Sequence, residues 1–279
     1  MFDRMRSGWQ LTKKAWGVVR TNKSLAKLPL KGGAFALLVS LVFVVPGMIL
    51  LGSDDTVLDA AGIVLIAFGS YLASFIVIYY NVILAAAANE ALQDREPDIA
   101  AARAIARSRI PVIAGWALVS ALVSLFFAIL RDRGGIAGQI VAGLGAAVWG
   151  LVTFLVIPVI ALEGIGPVAA IKRSGHLVKS RWGQQITGDI VIGGIAMLIM
   201  LAGMLVGGLG IFLVASGSTA GLAGGSLLAI AGLVIVVGGA VYSGATRGVF
   251  GVALYHFASE ERAVGPFTTA ELSSAARSK

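Results

Sequence analysis

Charged residues lie so far apart along this chain that the uncharged stretches between them dictate its fold. Between Lys31 and Asp54 there are 22 uncharged residues, and between Asp59 and Glu90 there are 30. Arg109 to Arg131 encloses 21, and Arg133 to Glu163 encloses 29. About 20 apolar residues in helical form cross a hydrocarbon layer about 30 Å thick, so each stretch makes one crossing. The 30-residue stretch exceeds that need and has to tilt or protrude. The last stretch, Asp189 to Arg247, encloses 57 residues and is too long for a single span. Ser216-Gly217-Ser218-Thr219, followed by Gly224-Gly225, supplies the turn that divides it. Six transmembrane helices follow.

Ile, Val and Leu dominate these stretches, but each far exceeds a strand and none shows the alternation of a membrane barrel. Helices satisfy their own backbone groups, as lipid requires. Only 13% of the 279 residues are charged, about half of what a soluble domain carries. Lipid must therefore be the solvent for much of the surface. The expected fold is an all-α polytopic bundle of six spans. It divides into a basic amphipathic segment (1–32), a six-helix transmembrane domain (33–257) and a tail (258–279). A basic segment of 32 residues precedes the first apolar stretch, so that stretch reads as a span and not as a cleaved signal. Cysteine is absent, which removes disulfides, thiolate metal sites and cysteine nucleophiles.

The distribution of Lys and Arg sets the orientation. Residues 1–32 carry eight cations against Asp3 alone, whereas the next loop holds Asp54, Asp55 and Asp59 without a cation. The loop at 164–188 carries Lys172, Arg173, Lys179 and Arg181, and the loop at 216–226 carries no charge. Both termini are expected in the cytoplasm; Arg131-Asp132-Arg133 argues the other way and is outvoted. The net charge of +8 sits beside apolar stretches, which points to anionic lipid headgroups and away from nucleic acid.

Three segments repeat one arrangement, an amphipathic helix with cations followed by a membrane hairpin. In the first, Met5, Trp9, Thr12, Trp16 and Val19 define an apolar stripe, while Arg6, Lys13 and Arg20 recur every seven residues on another face. Trp beside Lys and Arg suits a helix lying in the headgroup layer. The second starts at Glu96-Pro97-Asp98 and places Arg103 and Arg107 four apart. The third starts at Gly166-Pro167, with Val168, Ile171, Gly175, Val178 and Trp182 as its apolar face and Lys172, His176 and Lys179 as a polar stripe. Arg103 and Arg173 both stand six residues past their proline, and Gly265-Pro266 offers a further start in the tail.

The stretch Glu163-Gly164-Ile165-Gly166-Pro167-Val168-Ala169-Ala170-Ile171-Lys172-Arg173-Ser174 resembles the signature loop of a broad set of bacterial polytopic membrane proteins. The opening Phe2-Asp3-Arg4 through Gly8-Trp9 to Trp16 resembles their start. That set is classed as of unknown function. It is similar to the membrane domain that some glycerophosphodiester phosphodiesterases carry beside their catalytic domain. The resemblance covers nearly the whole chain. It implies a six-helix fold with cytoplasmic interfacial helices in a bacterial plasma membrane, and it carries over no catalytic residue.

Chemical constellations are sparse. Ser174-Gly175-His176 and Ser180-Arg181 match fragments of lipid phosphatases that use a phosphohistidine, but that chemistry needs a second His where Thr187 stands. His256 and Glu260 are four apart, yet a metal needs further ligands and the other His lies in another loop. Neither a catalytic role nor a cofactor nor a metal is expected. Gly203/Gly207 and Gly244/Gly248 have the spacing that lets helix backbones approach. Pro46 and Pro158 fall inside spans and predict kinks. Arg247 lies deep in the last apolar stretch, where a charge faces the bundle interior or reaches for headgroups, and Asn81 is its candidate polar neighbour. The lipid-binding residues expected are Trp9, Lys13, Trp16, Arg173 and Arg247. The function these point to is membrane organisation, lipid interaction or service as an accessory subunit, with a membrane protein or a second copy as partner. A transporter or channel for a small solute or lipid is the alternative.

Overall fold

The computed structural model describes residues 2–53, 55–182, 187–216 and 218–274; at 2–8, 181–182, 187–196, 219–220 and 273–274 it describes the helix alone. The readings at Met5, Arg6, Asp54, Arg181, Trp182 and Asp189, and the tail beyond 274, lie outside the described side chains. Helices α1 (Phe2–Thr21), α5 (Ile99–Ser108), α9 (Pro167–Trp182) and α12 (Thr269–Ser274) are too polar or too short to cross a membrane. Between them run three hairpins of apolar helix. The first joins α2 (Lys23–Val39), a π-helical stretch (Ser40–Val44) and α3 (Val45–Leu50) to α4 (Thr56–Ala91). The second joins α6 (Ile110–Arg133) to α7 (Gly135–Thr153) and α8 (Val156–Leu162). The third joins α10 (Thr187–Ala215) to α11 (Thr219–Glu260). Among the described residues six helices are thus long and apolar enough to cross, as the uncharged stretches require. Because the hairpins follow one another, α1, α5, α9 and α12 fall at one end of the bundle.

The threefold pattern has a backbone counterpart. Asp94 and Gly164, each three residues before Pro97 and Pro167, are both in the left-handed region, with φ of 55° and 69°. The Asp98 carboxylate accepts the N–H groups of Ala100 and Ala101 and starts α5 one residue beyond the expected turn.

Pro46 and Pro158 disturb their helices about four residues upstream, where the ring meets a carbonyl. Before Pro46, the Val45 N–H reaches back to the Ser40 carbonyl, five residues away, and the turn widens. Four residues before Pro158, span four breaks at Phe154 and Leu155. The Ser174 hydroxyl accepts the Leu155 N–H freed there, at 3.1 Å. Ser174 is fully buried. The phosphatase-like fragment is therefore a helix cap.

Helix α11 has 42 residues and α4 has 36, about 63 and 54 Å at ~1.5 Å per residue. A bilayer is about 40–45 Å thick with its headgroups, so helices this long have to tilt or protrude. The buried residues gather at one end of both, at Val82–Ala88 on α4 and from Val249 to Ala258 on α11, packed with Leu25, Leu28, Val159, Ile160 and the inner faces of α1 and α9. Large apolar side chains farther along the spans, such as Leu37, Phe68, Leu122, Leu144, Leu205 and Leu233, are exposed. No more than 17% of any apolar span window is buried within the protein. Lipid thus covers the greater part of the spans, and the close-packed core lies on the side of the amphipathic helices.

Small residues bring the hairpins together. A Cβ on Gly232 would collide with Gly207, and one on Gly203 would meet Val236 and Gly232, so the Gly203/Gly207 pair packs helix on helix. Gly47 and Gly62 approach each other in the first hairpin in the same way.

Candidate functional site

Where the close-packed end begins, one face of α11 carries Gly244, Gly248 and Gly251 at helical spacing, with Arg247 beside them. Leu84 presses on Gly248, Pro29 faces Gly244 and Pro158 faces Gly251. A cleft of about 280 Å³ remains, lined by Asn81 and Ala85 of α4, by Phe154, Ile157 and Pro158 at the break in span four, and by Arg247. Arg247 and Asn81, paired in the sequence reading by residue type alone, thus line one cavity. The volume suits a single polar head and not a whole lipid. The guanidinium offers planar donors and Asn81 a carboxamide, while the remaining wall is apolar.

Arg247 stands about 39 Å along α11 from Gly221 at ~1.5 Å per residue. The Gly244/Gly248 pair both packs and borders the cavity, since Gly248 admits Leu84 and both residues line the cleft.

On α1 the inward face is Leu11, Thr12, Ala15 and Val19, so the expected stripe is turned inward at Thr12 and Val19 but not at its tryptophans. Trp9 and Trp16 are 47% and 41% exposed on the flank, and Lys13 is exposed farther round. Likewise α9 buries Ala170, Ser174 and Leu177 and leaves Val168 outside. In both helices a small side chain (Ala15, Ala170) lets the backbone approach the bundle between buried Leu11, Val19 and Leu177, and Trp9, Trp16 and Val168 are left at the margin. Arg173 does not stand free: its Nε donates to Glu163 Oε1 at 2.9 Å, and the Tyr255 hydroxyl donates to the same oxygen at 2.9 Å. His256 is 5% exposed, so it is not the solvated residue that its place near the helix end implies. Its ring nitrogens lie 2.6 Å from Asn89 Oδ1 and 3.0 Å from Glu260 Oε1, tying the ends of α4 and α11 together. Among the described residues no group of three or more His, Cys, Asp or Glu could hold a metal.

Sequence reasoning passed over Lys14, which meets Glu271 of α12 at 2.6 Å, because a lysine beside a lysine gives no hint of a distant partner. It also used Arg109 only as the boundary of a span. The proximity of Arg109 to Gly164 appears only in three dimensions.

A family of unknown function, DUF6159, matches residues 59–265. The chain belongs to it. The part shared with DUF6159 takes in the cleft, the Glu163–Pro167 loop and five of the six spans, and it leaves α1 outside. No curated protein matches the chain.

Proposed function

We propose that this chain is a non-catalytic multi-pass protein of a bacterial plasma membrane that holds anionic lipid headgroups at its cytoplasmic face. The observation that carries this reading is the cleft of Arg247 and Asn81 between α4, α11 and the break in span four. A guanidinium there meets lipid phosphates in a layer of reduced dielectric, where charge-assisted hydrogen bonds are strong. Trp9, Lys13 and Trp16 on the outer flank of α1 add an interfacial anchor of the kind that binds anionic surfaces. Arg173, shared with Glu163, contributes a partly satisfied cation to the same face. The lipid so held organises the surrounding membrane or forms a seat for a partner membrane protein or a second copy. The likeness to the membrane domain beside glycerophosphodiester phosphodiesterases agrees with a lipid setting.

The test is thermal stability in neutral detergent, with and without phosphatidylglycerol, for the wild type, Arg247→Lys and Arg247→Leu. A headgroup gripped by the planar fork stabilises the wild type and not the lysine variant. Equal stabilisation of both reduces Arg247 to an anchor that reaches for the surface.

A second reading, transport of a small anion or lipid, is favoured by one observation: the proline-broken span four lines the same cleft as the arginine. Proteoliposome uptake that is lost in Arg247→Leu and in Pro158→Ala would support it.

A further inference from the structure

The Glu163–Pro167 loop holds one more positive charge than its own carboxylate can balance. Glu163 is matched by Arg173 at 2.9 Å and accepts the Tyr255 hydroxyl as well. A second arginine, Arg109, lies flat on Gly164: a Cβ there would run into the guanidinium carbon and both terminal nitrogens. Gly164 has a φ of 69°, so the loop is shaped and stripped of a side chain where the guanidinium rests. Arg109 Nε is buried with no hydrogen-bond partner, and among the described residues Arg109 forms no ion pair. With Nε sealed off and no acceptor on either terminal nitrogen among the described residues, the terminal nitrogens are left as the accessible donors, and an anion there would balance the charge.

Depth and surroundings narrow the anion. Arg109 directly precedes α6, so it stands where span three enters the membrane, on the side of the amphipathic helices. Helix α9 begins at Pro167, packed on Gly115 of α6, and turns the positive end of its dipole toward the same loop. A planar fork held flat presents its two terminal nitrogens along one edge, the geometry that takes two oxygens of a tetrahedral oxyanion.

We propose that Arg109, seated on Gly164, is the cation of a phosphate-binding site at this membrane surface, filled by the phosphate of a lipid headgroup or by free phosphate. The site is separate from the Arg247 cleft and does not depend on that reading.

The experiment uses the full chain in neutral detergent with three probes: phosphatidylglycerol, glycerol 3-phosphate, and inorganic phosphate at constant ionic strength. Native mass spectrometry counts bound lipid, and the shift in unfolding temperature gives an apparent Kd. Arg109→Gln raises that Kd about tenfold or more, the loss expected when a charged hydrogen bond is removed. Arg247→Gln leaves this component in place. Should Arg109→Gln fail to fold, Arg109→Lys carries the test. It keeps the charge without the fork, and binding weakens several-fold. A response to phosphatidylglycerol alone identifies a lipid headgroup as the ligand, and responses to the soluble probes as well identify free phosphate. Wild-type affinity in the folded Arg109 variant, or no response of the wild type to any of the three probes, overturns the proposal. Loss in Arg247→Gln but not in Arg109→Gln overturns it while supporting the cleft.

Discussion

The indole of Trp16 stacks on the ring of Tyr242, with centroids 5.5 Å apart and planes 20° apart. One ring belongs to the amphipathic helix α1 and the other to span six, five residues before Arg247. This pair fixes the depth of α1 relative to the cleft. A parallel-stacked aromatic pair contributes about 0.5–1.5 kcal/mol beyond its area. Trp16→Ala is therefore expected to lower stability by about 1 kcal/mol or more and to weaken quenching of the remaining tryptophans by brominated lipid. Trp16→Phe should keep most of both. An unchanged unfolding temperature in Trp16→Ala would mean that the stack holds nothing in place.

The tail is pinned to α1 by charge. Glu271 receives Lys14 Nζ at 2.6 Å and the Thr268 hydroxyl at 2.8 Å, and the Thr268 N–H donates to it as well. Burial alone would raise the carboxyl. The Lys14 ammonium and the two Thr268 donors outweigh that and hold Glu271 below its ordinary value of 4.5. A lowered folded-state value gives stability that is present above pH 4.5 and is lost as the pH falls through the folded value. Both side chains are partly exposed, so the contribution is on the order of 1 kcal/mol or less. Proteolysis of the tail should thus be faster in Glu271→Gln than in the wild type at neutral pH. The two should converge in acid. A difference that persists unchanged into acid would remove the ion pair as its cause.

The hairpin of α10 and α11 makes a graded prediction about glycine. Gly232→Ala drives a methyl group into the Gly207 backbone, which cannot yield as a flexible side chain would. Overpacking of this kind costs about 1–3 kcal/mol. Gly224 and Gly238 stand on the same helix with nothing within 4 Å of a Cβ. Alanine at either should be neutral or stabilising by up to about 1 kcal/mol, because it favours the helix. Unfolding temperatures in detergent rank the three variants, and equal effects at Gly232 and Gly238 would contradict the packing.

Spans were legible because charge is excluded from hydrocarbon, and that rule depends on residue type alone. The limits at Glu90 and Arg133 therefore lie close to real helix ends, whereas Lys31 lies eight residues inside α2, which begins at Lys23. The face each amphipathic helix turns inward was not legible from hydrophobicity. Next to a bundle, Ala15 and Ala170 pack more closely than Trp9 or Val168 can, and those two larger residues are left exposed while Leu11 and Leu177 fill the inward faces. The 57 uncharged residues before Arg247 show where charge is absent, whereas the packing around it depends on which neighbours bury Val249, Phe250 and Leu254. The partners of Glu163, Lys14 and His256 lie 92, 257 and 167 residues away, beyond the reach of helical periodicity.

The distribution of cations predicts which side faces the cytoplasm, and the prediction can be tested directly. Eight cations in residues 1–32, with Lys172, Arg173 and Lys179 on α9, lie on the side of the amphipathic helices. Across the membrane, the turn after α3 and the turn at Ser218 carry no cation. The difference favours retention of α1 and α9 in the cytoplasm. The Arg131 and Arg133 pair at the far end of α6 works against it, but two residues face a much larger excess. Reporter fusions after residues 56, 133 and 220 should all report the outside, and fusions after residues 95 and 165 the cytoplasm. A cytoplasmic signal at 56 or 220 would invert the topology. The Arg247 cleft and the Arg109 loop would then face the opposite leaflet, whose headgroups carry less negative charge.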